Sequence, residues 1–138
     1  MKADTGSELV FVYGTLRRGG SNAFRMDGAE FVGPATVGGA LYRISWYPGL
    51  VPGGDGRVTG EVYRVGAEPL RALDEFEGLA AGEIEGSEYR RVRVEALLGD
   101  EEELEVWVYE WKGGFNEDER IQSGDWLGVQ TSRRDRSQ

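Results

Sequence analysis

Two stretches of this chain carry residues able to do chemistry near neutral pH. The first is Pro69 to Glu77, which reads as a helix: Glu68 and Pro69 suit its first turn and Gly78 supplies a stop. Leu70 and Leu73 mark an apolar stripe. Glu77, four residues beyond Leu73, falls on that stripe, whereas Glu75 points away from it. A carboxylate on a buried stripe is costly if left charged and unpaired, so it must be functional, paired or protonated. Its place in the last helical turn adds the negative end of the helix dipole. Burial and dipole both raise the pKa, as a carboxylate general base working near neutrality requires. The alternative is that Glu77 turns outward at the helix end and is satisfied by Arg71, Arg90 or Arg91.

The second stretch is Phe11-Val12-Tyr13-Gly14-Thr15-Leu16, followed by Arg17-Arg18-Gly19-Gly20-Ser21-Asn22. Leu9 to Tyr13 is a continuous apolar and aromatic run, the pattern of a strand buried on both faces. It stops at a glycine loop, where successive backbone N–H groups are free to converge on a carboxylate or a carbonyl oxygen. An ordinary glycine turn would look the same. Gly14 to Ser21 nearly fits the phosphate-loop spacing, but Gly20 stands where the phosphate-binding lysine belongs, which argues against a nucleotide. Asp74 and Glu77 could pair around a divalent cation or a glycosidic bond, yet no further ligands or sugar-stacking site accompany them.

Composition narrows the mechanism further. The 138 residues contain neither cysteine nor histidine, which removes disulfides, thiolate metal sites and the commonest general base together. Acid–base work is left to a carboxylate, a tyrosine or one of two lysines, Lys2 and Lys112. We expect no metal and no cofactor. A net charge of −9 makes nucleic acid and anionic membranes poor partners. The chain has no apolar stretch of membrane-spanning length, and Met1 to Glu8 lacks the apolar core of a signal peptide, so a cytoplasmic location is expected. Nothing in the sequence fixes an oligomeric state.

The elements that must position these residues follow in order. We expect a disordered start over 1–7, one domain over 8–128 and a mobile tail over 129–138. Twenty-two glycines against four prolines suit a sheet-rich fold with many tight turns. Ser21-Asn22 is placed to cap a short helix over Ala23 to Met26. Ala29 to Val32 and Ala35 to Ile44 read as extended, with bends at Gly33-Pro34 and Gly38-Gly39. Trp46 to Pro52 reads as a rigid aromatic loop or edge strand, residues 53–56 as a turn, and Val58 to Val65 as a strand. Tyr89 to Leu97 and Leu104 to Trp111 alternate in pattern and make a hairpin around the acidic turn at 99–103.

Several of these segments, taken in order, resemble the γ-glutamylcyclotransferase-like family, which includes the γ-glutamylamine cyclotransferases. Val12-Tyr13-Gly14-Thr15-Leu16 with Gly19 and Asn22 is similar to its Y-G-T-L…G-x-x-N opening. Gly60-Glu61-Val62-Tyr63, Leu73 to Gly78, and Tyr89 with Arg91 resemble its G-E-V-Y, L-D-x-F-E and Y-x-R segments. Ser123-Gly124-Asp125-Trp126 resembles an ending of bacterial members. The resemblance implies an α+β fold, a small mixed β-barrel with flanking helices. It also implies a reaction in which the α-amine of a γ-glutamyl amide attacks its own γ-carbonyl, releasing 5-oxoproline and an amine. On that reading Glu77 is the general acid/base, and Tyr13, Gly14, Thr15, Leu16, Asn22 and Tyr89 bind the small-molecule γ-glutamyl substrate. The alternative is a non-catalytic module that binds γ-glutamyl or other small molecules on the same fold. The acidic net charge further suggests a cationic leaving amine, such as a polyamine or a lysine side chain.

Overall fold

The computed structural model describes residues 7–79, 86, 88–99 and 102–127. The expected disordered start and mobile tail, and Asp100 and Glu101 of the acidic turn, lie outside these residues apart from Ser7. Five strands appear in the order β1 (Glu8–Val12), β2 (Glu30–Arg43), β3 (Pro48–Val65), β4 (Tyr89–Leu98) and β5 (Glu102–Trp111). Among the described residues an α-helix, α1 (Ala67–Phe76), follows β3, and short 3-10 turns occupy Ala23–Met26 and Glu117–Glu119. The strands close into a barrel in the order β1-β3-β2-β4-β5. Most pairings are antiparallel, but β1 meets β5 in parallel at Val10–Trp107 and β3 meets β5 in parallel at Leu50–Glu110. The barrel is therefore mixed, as the resemblance implied.

The apolar run of β1 is explained by two cores that it separates. Phe11 faces the barrel interior with Val37, Leu50, Val58, Val62, Val106 and Val108. Val10 and Val12 face outward into a second cluster with Leu70 and Leu73 of α1, Tyr109 and Trp111. Val10 and Phe11 are wholly removed from solvent and Val12 nearly so. Burial of such side chains stabilises a fold by roughly 1.5–3 kcal/mol each, which fixes β1 and the place where its chain emerges.

The extended segments expected on either side of Gly33-Pro34 are one strand, β2, with register shifts at Phe31/Gly33 and Gly38/Gly39. The bends were placed correctly; they perturb the ladder without ending it, because β3 follows along the whole length. Likewise, residues 53–56 do not separate two elements. Gly38 pairs with Arg57 and Gly39 with Pro52, so the four residues between loop out of a single long β3. Trp46 and Tyr47 then fall in the tip of the β2–β3 hairpin, where Ile44 N–H donates to the Tyr47 carbonyl at 3.1 Å. The β4–β5 hairpin runs in unbroken register from Tyr89–Trp111 to Leu98–Glu102.

Gly60 shows why a strand carries a glycine here. A Cβ at this position would collide with the Val12 carbonyl oxygen and lie 2.6 Å from the Phe11 ring. Gly60→Ala is expected to cost about 1–3 kcal/mol by forcing β1 and β3 apart. The shift of the urea unfolding midpoint measures this, and an unchanged midpoint would show that the contact can relax.

Candidate active site

The turn after β1 is tied down from behind. Arg17 N–H donates to the Gly14 carbonyl at 3.1 Å, and Asn22 N–H donates to the Thr15 carbonyl at 2.8 Å. Asn22 Nδ2 donates to Thr15 Oγ1 at 3.1 Å. Buried Glu61, on β3, accepts from Arg18 N–H at 3.0 Å and from Arg17 Nε at 3.3 Å. Arg17 Nη1 also meets Asp125 at 2.8 Å. With its ends held to β3 and to the chain after β5, the turn leaves the N–H groups of Gly14, Thr15 and Leu16 without a protein acceptor among the described residues. All three residues line a pocket of about 190 Å³.

Glu77 reaches the same pocket from the end of α1. The helix is one residue shorter at its C-terminus than expected, ending at Phe76, and it starts earlier, at Ala67, so Pro69 sits inside the first turn. Glu77 is the C-cap, with near-helical φ −86° and ψ 2°. Gly78 follows at φ +89°. Its N–H donates to the Glu75 carbonyl at 3.0 Å and Leu79 N–H donates to the Asp74 carbonyl at 2.8 Å. These two bonds form a Schellman motif, for which a left-handed glycine is the favoured residue. Leu73 and Leu79 bury into the outer core on either side of it. Glu77 is thereby held at a fixed orientation and cannot drift with a fraying end.

Among the described residues its surroundings supply no counter-charge. The three arginines named as its alternative partners are engaged elsewhere: Arg71 with Glu68, Arg90 with Glu110, and Arg91 with Asp74. Among the described residues the Glu77 carboxyl has no ion pair or hydrogen bond. Burial, then the Asp74 charge, then the Glu88 charge push its pKa up to about 7. Although part of the residue meets solvent through the pocket, protein crowds the carboxyl on its other sides.

Tyr13, Gly14, Thr15, Leu16, Glu77 and Tyr89 thus meet at one pocket. Asn22 does not line it; its backbone and side chain both bind Thr15, so it braces the turn from behind. Nor does Asn22 cap the turn at Ala23–Met26 through its side chain, which accepts from Arg25 Nε at 3.2 Å instead. The phosphate-loop reading fails locally too, because a four-residue 3-10 turn follows the loop in place of an α-helix. Tyr13 donates its hydroxyl to the Tyr109 carbonyl and Tyr89 donates to the Pro48 carbonyl, each at 2.7 Å. Burial raises the pKa of both phenols from an already alkaline value, so neither serves as a base near neutrality. Asp74, once a candidate partner for Glu77 around a cation, is buried on Arg91 and the Tyr109 hydroxyl.

Other pocket residues escaped the sequence. Glu88 and the hairpin tip, Trp46 and Tyr47, line the pocket across from Glu77, and Trp46 is 61% exposed. Only chain pairing brings residues 46, 77 and 88 together. Glu61 did leave a signal, as a lone carboxylate inside the apolar strand Gly60-Glu61-Val62-Tyr63.

The family model described as γ-glutamyl cyclotransferase, AIG2-like, matches residues 10–128. A relative from Escherichia coli strain K12, the γ-glutamylcyclotransferase family protein YtfP, is 35% identical over 119 residues, covering 86% of this chain and 95% of its own. The crystal structure of protein PH0828 from Pyrococcus horikoshii superposes with a TM-score of 0.70 at 27% identity, covering 92% of this chain and 96% of that one. That of an AIG2-like protein from Mus musculus gives a TM-score of 0.70 at 25% identity, covering 87% and 88%.

Between pH 4.5 and about 7 the folded protein holds a proton on Glu77 that the unfolded chain releases. The stabilisation from this site is therefore full below the unfolded value and lost as pH rises through about 7. Relative to wild type, Glu77→Gln should gain about 2 kcal/mol between pH 5 and pH 8. Urea midpoints of both proteins across this range measure it, and a difference that stays flat with pH would place the carboxyl in water.

Proposed function

The chain belongs to the γ-glutamyl cyclotransferase, AIG2-like family, and from that premise we propose that it converts a γ-glutamyl amide into 5-oxoproline and a free amine. The observation that carries this reading is a carboxyl, Glu77, sharing a small pocket with three backbone N–H groups, none of the four having a hydrogen-bond or ion-pair partner among the described residues. In the proposed reaction Glu77, as carboxylate, takes a proton from the substrate α-ammonium. The freed amine attacks the γ-carbonyl carbon, forming the ring C–N bond, and the carbonyl oxygen becomes an oxyanion. As the tetrahedral centre collapses, the bond to the leaving nitrogen breaks and Glu77 returns the proton to that nitrogen; the second proton, left on the ring nitrogen, then passes by way of the Glu77 carboxylate to the freed amine, which departs as an ammonium. One group therefore acts as base and then as acid, for which a pKa near the working pH is best.

Because the nucleophile is part of the substrate, the pocket's main task is to hold amine and carbonyl in contact. Such preorganisation contributes on the order of 7–11 kcal/mol in favourable cases. The N–H groups of Gly14, Thr15 and Leu16 are suited to a glutamyl α-carboxylate or to the oxyanion as it forms. A volume of about 190 Å³ fits an amino-acid-sized group, being below the roughly 300 Å³ at which drug-sized sites begin. The leaving amine would then project toward Trp46, Tyr47 and Glu88, an aromatic and acidic rim that favours a cation.

Glu77→Gln should lower kcat for 5-oxoproline release by about 10²–10⁴-fold with little change in KM. Wild-type kcat/KM should climb with pH through an inflection near 7, where Glu77 becomes the carboxylate. Turnover near wild type in the variant would remove Glu77 from the mechanism. Binding of γ-glutamyl compounds with no 5-oxoproline from either protein would leave a binding module. In a panel of γ-glutamyl amides, a polyamine leaving group should be turned over in preference to alanine, and Glu88→Gln should narrow that preference. An equal rate for both amides would discard the cationic rim.

A further inference from the structure

Behind the pocket wall lies a charge couple that the proposed reaction does not use. Asp74 and Arg91 meet at 3.0 Å with side chains only 12% and 11% exposed, and neither lines the pocket. Arg91 Nε approaches off the line of a hydrogen bond, and the guanidinium stacks over the Trp107 ring at 4.2 Å. The Tyr109 hydroxyl donates to Asp74 Oδ1 at 2.7 Å, and the Tyr109 carbonyl accepts the Tyr13 hydroxyl at 2.7 Å. Tyr109 and Tyr13 both line the pocket. An unbroken chain of contacts thus runs from the couple to the wall facing Glu77, while Asp74 itself sits one helical turn before Glu77.

We infer that Asp74 and Arg91 are positioning residues, a buried charge couple that sets how readily Glu77 gives up its proton, acting across one helical turn and through Tyr109. A buried ion pair is weak evidence for stability alone, since apolar residues of similar volume often replace one without loss. Here the pair is placed where its imbalance is felt by a carboxyl that has no ion-pair partner of its own among the described residues. The Asp74 carboxylate, in contact with Arg91 and the Tyr109 hydroxyl, opposes a second negative charge on Glu77; Arg91 limits that opposition. The remaining described groups that act on or around Glu77 are Glu88 ahead of β4, Tyr89 on β4, Tyr13 after β1, Tyr47 at the hairpin tip and Tyr109 on β5. Among these Glu88 is the only further carboxylate, and it lies at the mouth, open to screening by water and salt.

The inference deepens the cyclotransferase reading, but its test needs no substrate. Carbon-13 NMR of the glutamate side-chain carboxyls, with the Glu77 signal identified by its loss in Glu77→Gln, gives the titration midpoint directly. Asp74→Asn should move that midpoint down by about one pH unit, because a like charge goes and Arg91 is left unbalanced. Tyr109→Phe, which removes a single oxygen, should move it up, because Asp74 loses the hydrogen bond that disperses its charge and so opposes Glu77 more strongly. Should Asp74→Asn fail to fold, Tyr109→Phe still reads the coupling. Opposite shifts support the couple; a missing shift in a folded variant, or two shifts of one sign, overturns it. The acid limb of kcat/KM should follow the same directions. Absence of 5-oxoproline with the NMR shifts intact would defeat the cyclotransferase reading and leave the couple standing.

Discussion

A carboxyl group held in protein, with no cation paired to it among the described residues, is the constraint to which the rest of this structure answers. Ordinary folding would neutralise Glu77, and three arginines lie close enough in sequence to try. Each is bound to another acid, on the helix surface, across the β4–β5 ladder or behind the pocket. The Schellman turn at Gly78 then denies Glu77 its other escape, since a frayed helix end would let the side chain swing into water. What results is an acid whose proton is held near neutrality by its place in the fold.

Holding such a group requires rigid surroundings, and the two cores supply them. The barrel interior and the layer beneath α1 share one strand, β1, buried on both faces. The turn that follows β1 therefore emerges at a position fixed by packing on both sides. The Glu61–Arg17–Asp125 cluster fixes the far end of the same turn. Backbone N–H groups without partners are costly if buried, and here they are left facing a pocket, where water or a ligand can satisfy them. The proposed ring closure uses this arrangement economically, asking the protein for one proton carrier and a shaped space.

The hairpin tip illustrates the same reliance on distant pairing. Trp46 and Tyr47 belong to the β2–β3 connection, yet they stand beside Tyr89 of β4, with the Tyr47 and Tyr89 rings 6.4 Å apart. Their place is set by the register of a long ladder with two register shifts, so a shift of one residue in β2 would remove them from the pocket rim.

The sequence by itself determined what is local. It located the doubly buried strand, the glycine turn after it, the β4–β5 hairpin and the helix whose stripe Glu77 shares, because apolar period and glycine placement are short-range signals. Through the absence of histidine and cysteine it also confined any acid–base work near neutral pH to a carboxylate, a tyrosine or a lysine. It misjudged continuity at residues 53–56, where a turn signal proved to be a loop thrown out from an unbroken strand. It could not choose between a paired and an unpaired Glu77, nor see that Asn22 faces the back of its own loop and Asp74 the back of the pocket wall. Those choices depend on which arginine meets which acid across strands far apart in sequence. Only closure of the barrel brings residues 13, 47, 77, 88 and 109 around one space, and long-range contact, unlike period, leaves no mark in a single sequence.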